Sequence, residues 1–212
     1  MEIGDTSEMR GEELTPWLIR YAYERGAFPM TVGDDNVEWF QPNMRALLPI
    51  TGIHVSKSLQ RNIRKQVYEV RFDTAFEEVM RGCLRPGENW ISEDFIRVYT
   101  EIHHKGWAHC GEAWQDGKLC GGVYGLSLGS CFCAESMFHR ETDASKVVLH
   151  ALVERCRELG FTVFDAQIIN PHLASLGAFE VPHLTYMRVL RTALKDETPW
   201  SKSQEPRIYR GR

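Results

Sequence analysis

Three apolar runs in succession, Ala108–Trp114, Leu119–Leu128 and Ser130–Phe138, are parted only by Gln115-Asp116-Gly117-Lys118 and by Gly129. Both breaks are turn signals for tight antiparallel connections, so the runs read as a three-strand meander. The strongest helix signal follows at once. After Asp143-Ala144-Ser145, the residues Val147, Val148, Leu149, Leu152, Val153 and Cys156 form one apolar stripe, closed by Gly160. Phe161–Ile169 is then a buried strand, Asn170–Leu176 a short helical turn and His183–Leu194 an amphipathic stretch. The meander, the long helix and the strand after it are the frame on which the rest must fit.

Upstream, Thr15 caps a helix with Pro16 at its first position and Gly26 as its stop. Val37–Phe40 reads as a short strand before Pro42, and Arg45–Ile50 as a second. These pieces make a small N-terminal domain over residues 14–53, after a flexible, acidic leader at 1–13. His54–Lys65 carries Lys57, Arg61, Arg64 and Lys65 without an acidic residue, at spacings that place the charges on one helix face. Tyr68–Phe72 alternates like a strand. Asp73 is expected to cap the helix that holds Phe76, Val79, Met80 and Cys83, and Ser92 the next, with Phe95, Ile96, Tyr99 and Ile102 inside. Residues 54–194 form the second domain and 195–212 a polar C-terminal tail.

Composition narrows the class. The chain has 212 residues, 43% of them hydrophobic, enough for a real core without disulfide staples. It contains no apolar run of about 18 residues and its N-terminus has no signal-peptide pattern, so a cytoplasmic protein without a membrane span is expected. Its six cysteines include no C-x-x-C pair and no His at zinc-finger spacing; they read as buried free thiols, with no metal expected. A net charge of −4 argues against a protein that coats nucleic acid, which leaves the 57–65 stripe as a local patch, either a solvated helix face or a phosphate contact.

The element order gives an α+β fold with a mixed, mainly antiparallel sheet. It is similar to that of N-acetyltransferase (GNAT) type acyltransferases, in which the strands before and after the long helix run parallel and splay around an acyl donor. A coenzyme A-dependent member would show a glycine-rich loop ahead of that helix. Here the junction is His139-Arg140-Glu141-Thr142-Asp143-Ala144-Ser145-Lys146, without glycine. A CoA donor is therefore disfavoured.

The polar residues within apolar strands are the candidates for chemistry. Asp165 and Gln167 stand two apart and are expected on one face, with Phe164, Ala166 and Ile168 on the other; Glu135 interrupts the facing strand. Buried without partners, each would cost about 1–3 kcal/mol, so they form either a site or a hydrogen-bond cluster that fixes strand register. Trp39 and Trp114 lie where a ring can present a face to a ligand, whereas Trp17, Trp90 and Trp107 read as packing residues.

With these residues in place, the sequence resembles the leucyl/phenylalanyl-tRNA–protein transferase family. The resemblance is carried by nine segments in order: Gly26-Ala27-Phe28-Pro29-Met30, Trp39-Phe40 through Arg45, Trp90-Ile91, Glu112-Ala113-Trp114, Gly121–Gly125, Glu135-Ser136-Met137-Phe138, Asp143–Lys146, Asp165-Ala166-Gln167 and Asn170–Gly177. It implies transfer of Leu or Phe, with Met as a further candidate, from tRNA to the N-terminal α-amine of proteins that begin with Arg or Lys. Such a protein becomes marked for degradation, and no cofactor is needed. It further implies that Glu135, Asp165 and Gln167 surround the reacting carbonyl and amine, and that Trp39 and Trp114 hold the terminal adenosine. Val123, Met137, Leu149 and Leu152 would line the aminoacyl pocket, and Lys57, Arg61, Arg64 and Lys65 would meet tRNA phosphates. A monomer is expected. Ala166 stands where the family usually has Cys, which removes a covalent cysteine route at that position. Two other classes compete: a CoA-dependent acyltransferase of the same fold, and a non-catalytic module that binds tRNA or protein N-termini.

Overall fold

The computed structural model describes residues 13–32, 36–85, 91–197 and 200. The expected leader up to residue 12, residues 33–35, Trp90 and residues 201–212 lie outside the described residues. The chain opens with α1 (Pro16–Glu24), where the Thr15 hydroxyl accepts the Leu18 N–H at 3.2 Å and Gly26, at φ +78°, turns the chain away. A hairpin of β1 (Phe28–Val32) and β2 (Asn36–Phe40) forms a sheet of its own. Then come β3 (Met44–Leu48), α2 (Lys57–Arg64), β4 (Glu69–Phe72), α3 (Phe76–Gly82) and α4 (Glu93–His104), the last capped by Ser92 as expected. The meander is β5 (Ala108–Gln115), β6 (Lys118–Leu128) and β7 (Cys131–His139), followed by α5 (Ala144–Leu159), β8 (Val163–Gln167), α6 (Pro171–Ser175), β9 (Phe179–Pro182) and α7 (His183–Ala193).

The main sheet has the order β4-β5-β6-β7-β8-β3-β9 and is antiparallel except between β7 and β8. The α5 stripe and Leu59 of α2 cover one face together with Phe132, Phe164 and Val123; α1, α3, α4 and α7 cover the other, around Tyr99, Tyr124, Cys133 and Tyr186. The fold is mixed α+β. No helix among the described residues is long and apolar enough to cross a membrane.

Three placements differ from the sequence reading. The strand read as part of the N-terminal unit, β3, is a sheet member between β8 and β9. Its alternation explains this, because Ala46 and Leu48 enter one core and Leu47 the other, as a strand buried on both faces requires. Asp73 is not a helix cap: at φ +59° its carboxylate accepts the Cys110 N–H at 2.9 Å and faces His109 Nδ1 at 2.9 Å. The start of α3 is instead satisfied across the sheet by buried Glu112, which accepts the N–H groups of Thr74 and Ala75 at 2.7 and 2.9 Å. Finally, Trp200 of the polar tail is 2% exposed, stacked on His109 at 4.5 Å beneath the Arg155 guanidinium, and donates its indole N–H to Asp73 at 2.9 Å. One large aromatic amid polar neighbours has no periodicity to reveal it.

Candidate active site

The parallel pairing of β7 with β8 runs from Cys131↔Val163 to Cys133↔Asp165 and then stops. Each strand carries an extra residue just beyond. On β7, Tyr124 faces Ser136 and Gly125 faces Ala134, so Glu135 has no partner on β6; on β8, Ala46 faces Gln167 and Leu47 faces Asp165, which leaves Ala166 over. Paired bulges bend both strands and re-aim their side chains, and here they open the sheet. Gln167 completes the bend at φ +60°, a region disfavoured for a residue with a Cβ.

A cavity of about 250 Å³ lies in the opening, equal to roughly eight liquid-water volumes at ~30 Å³ each. Its walls are mostly apolar: Phe28, Pro29 and Met30 from β1, Leu48 at the end of β3, Val123, Met137 and Leu149, with Ile168 and Leu173 beyond. Glu135, Gln167, Asn170 and Arg85 supply polar groups. The space suits one aliphatic or aromatic side chain beside a few placed polar atoms. Of the expected pocket residues, Val123, Met137 and Leu149 line it. Leu152, one turn further along α5, is fully buried in the core between the helix and the sheet.

At the polar end, the Tyr23 hydroxyl donates to Glu135 Oε1, and the Gln167 amide donates to Glu135 Oε2 at 3.2 Å and to the Tyr23 oxygen at 3.0 Å. Burial pushes the Glu135 carboxyl up to about 7 against the opposing effect of these two hydrogen bonds. Burial likewise raises the Tyr23 phenol well above its usual range, with the Glu135 charge adding to it.

Asp165 lies behind this trio. Its Oδ1 accepts Arg45 Nε at 2.9 Å and the Gln167 backbone N–H at 2.9 Å; its Oδ2 accepts Arg45 Nη2 at 2.7 Å and the Tyr186 hydroxyl at 2.8 Å. Neither Arg45 nor Asp165 has any exposed side-chain surface. Arg45 also donates to the Gly26 carbonyl at 3.1 Å and lies over the rings of Phe28 and Tyr186. The two residues expected on one face are placed differently: Gln167 lines the cavity with Ala166 and Ile168, while Asp165 lies behind it.

The two tryptophans expected at the adenosine do not line the cavity either. Trp39 is 3% exposed within the helix-covered core, so neither ring face is open, and Trp114 donates to Glu112 at 2.9 Å beneath the Arg71 guanidinium. Trp17, read as a packing residue, is 67% exposed. Lys57, Arg61, Arg64 and Lys65 are all exposed along α2, which turns only Leu59 fully inward. Asn62 of that helix bonds Asp143 at 3.1 Å, and Asp143 pairs with Lys146 at 3.0 Å, so the basic stripe flanks the start of α5.

A family model described as leucyl/phenylalanyl-tRNA protein transferase matches residues 47–191, and one for the N-terminal domain of the same transferase matches 12–43. The chain belongs to the leucyl/phenylalanyl-tRNA protein transferase family. Curated relatives bearing that transferase name include one from Herpetosiphon aurantiacus, 49% identical over 87% of this chain and 96% of its own length. Another, from Rubrobacter xylanophilus, is 48% identical over 86% and 96%. A solved C-terminal domain from Agrobacterium fabrum, of a protein described as a lysylphosphatidylglycerol synthetase, covers 92% of the chain at 10% identity. Its TM-score of 0.34 is too low to bear on the fold.

Two residues of this buried cluster had no role in the sequence reading. Tyr23 is a helix residue whose only clue is an inward-facing hydroxyl one turn before Gly26, and Arg45 is a charge inside an otherwise apolar strand. The second is a detectable signal, since a charge at such a position requires a buried partner.

Proposed function

We propose that the chain transfers Leu or Phe from the 3′ end of aminoacyl-tRNA to the N-terminal α-amine of proteins that begin with Arg or Lys. The observation that carries this reading is one cavity with mostly apolar walls that also holds Glu135 and Gln167, both hydrogen-bonded to Tyr23 behind them. A Leu or Phe side chain fills the apolar part, which puts its ester carbonyl at the polar end. An acceptor bearing an α-amine and an Arg or Lys side chain is cationic twice over, and the Glu135 carboxylate complements it. The Lys57–Lys65 stripe meets acceptor-stem phosphates at the start of α5. Apolar walls separate Leu or Phe from polar side chains strongly, but Leu from Met by only about 1–3 kcal/mol.

The parallel β7–β8 pair splayed at its bulges supports a GNAT-like arrangement of the second domain. A tRNA donor supports a cytoplasmic reaction. In this reading the active unit is a monomer. The test follows label from radiolabelled Leu-tRNA and Phe-tRNA into two peptides that differ only in an N-terminal Arg or Ala. Transfer to the Arg peptide alone is the expected result. Bound tRNA without transfer supports the non-catalytic module, and a melting temperature raised by acetyl-CoA supports the CoA-dependent acyltransferase.

A further inference from the structure

We propose that Glu135 is the proton acceptor of the transfer step and that Asp165 is a positioning residue, a fixed anion that holds Gln167. The inference rests on the aminoacyl-transfer reading above. Of the two carboxylates, only Glu135 forms part of the cavity wall. Asp165 is sealed from it, and each of its oxygens already accepts two hydrogen bonds, from Arg45 and the Gln167 N–H on one and from Arg45 and Tyr186 on the other. No lone pair remains for an amine proton.

Its contribution is geometric. The bond from the Gln167 N–H to Oδ1 stabilises the φ +60° backbone, and that turn presents the amide to Glu135 and Tyr23. Gln167 cannot take the proton, because an amide does not titrate near neutrality. Glu135 keeps acceptor capacity beyond its two donors and lines the cavity beside Gln167.

The proton count closes. The neutral α-amine attacks the ester carbonyl; the C–N bond forms and the bond from that carbon to the ribose oxygen breaks. One amine proton passes to Glu135 Oε and then to the departing ribose oxygen. The products are an amide and a hydroxyl, and the carboxylate is restored.

Glu135 works in a defined surrounding. Tyr23 of α1, Tyr99 of α4, Tyr124 of β6, Asp165 of β8 and Arg45 of β3 act on it, and the Arg85 guanidinium lines the same cavity. Its burial places its titration at about 7, just below a peptide α-amine at about 7.7–8.0. Both groups must lose a proton for the reaction, so kcat/KM rises with pH through both.

The experiment measures initial-rate kcat/KM for Leu transfer to an Arg peptide between pH 5.5 and 8.5. For the wild type, log kcat/KM should rise with a slope of two below about pH 6.5. Glu135→Gln should lower kcat by about 10²-fold or more at pH 8 and reduce that slope to one. Asp165→Asn should keep a slope of two in whatever activity it retains. Because that variant loses stability, Tyr186→Phe, which removes one donor from Asp165, serves beside it and should also keep the slope of two. A Glu135→Gln enzyme within about threefold of wild type, or one that keeps the slope of two, would overturn the assignment, as would a slope of one in Tyr186→Phe. Failure of the wild type to transfer at all would instead defeat the transferase reading itself.

Discussion

Replacing Arg45 by Met keeps an unbranched apolar stem, shorter than the arginine, and removes the charge from the centre of the molecule. The loss can be worked from the contacts. Three hydrogen bonds disappear, two to Asp165 at 2.9 and 2.7 Å and one to the Gly26 carbonyl at 3.1 Å, and a carboxylate with no exposed surface keeps only the Gln167 N–H and the Tyr186 hydroxyl. Stranding one partner of a buried ion pair costs about 3–5 kcal/mol. In a domain of this size 1 kcal/mol moves the melting temperature by about 2–4 °C, so Arg45→Met should melt about 6–20 °C lower. Asp165→Leu, which strands the guanidinium, should cost a similar amount. The decisive variant is the double substitution, in which neither charge is left unpaired; it should be clearly more stable than the sum of the two singles. Calorimetry or urea unfolding of the four proteins completes the cycle. Additivity within about 0.5 kcal/mol, or a single-variant loss below 1 kcal/mol, would refute the claim that the two residues act as a mutually dependent buried pair.

Three further outcomes can be checked. Removing all four charges of the stripe (Lys57→Ala, Arg61→Ala, Arg64→Ala and Lys65→Ala) should raise KM for aminoacyl-tRNA, flatten its dependence on salt and leave kcat nearly unchanged; an unaltered salt slope would show that the stripe is only a solvated face. Leu149→Phe narrows the cavity beside Val123 and Met137 and should reduce Phe transfer more than Leu transfer, by an amount within about 10–200-fold, read from competition between the two charged tRNAs. Trp200→Ala should destabilise the chain by about 3–5 kcal/mol in urea unfolding, because its indole is buried between His109 and Arg155; a loss under 1 kcal/mol would mean that the tail only rests on the core.

Local patterns carried much of the fold. The α5 stripe, the Asp116-Gly117 turn and the caps at Thr15 and Ser92 all came out where their sequence places them, because each is decided within a few residues. Glu135 and Gln167 were readable for a similar reason, as breaks in apolar runs, whereas Val123, Met137 and Leu149 were reached only through the family resemblance. What escaped was decided at long range. Tyr23 meets Glu135 across 112 positions of sequence and Arg45 meets Asp165 across 120, so neither partnership has a local signature. The bulges at Glu135 and Ala166 likewise depend on which strands lie alongside, and without them the alternation rule put Asp165 and Gln167 on one face. Trp39 and Trp114 show another limit: the chemistry of a ring is visible in sequence, but its exposure is set by the packed sheet, which buries Trp39 and leaves Trp114 half-buried.

The place of β3 between β8 and β9 also governs how the chain is assembled during synthesis. About 115 residues separate Leu48 from Val163, and at ~5–20 residues per second a ribosome needs roughly 6–23 s to make them. Throughout that interval β3 has neither hydrogen-bonding neighbour, and Arg45 has emerged without its counter-ion. The N-terminal segment therefore cannot finish folding ahead of the rest, and an early-released fragment would present an unpaired strand edge to other chains. Cleavage of the chain after β3 should accordingly give two pieces that reassemble only with each other, since each holds strands that complete the other's sheet.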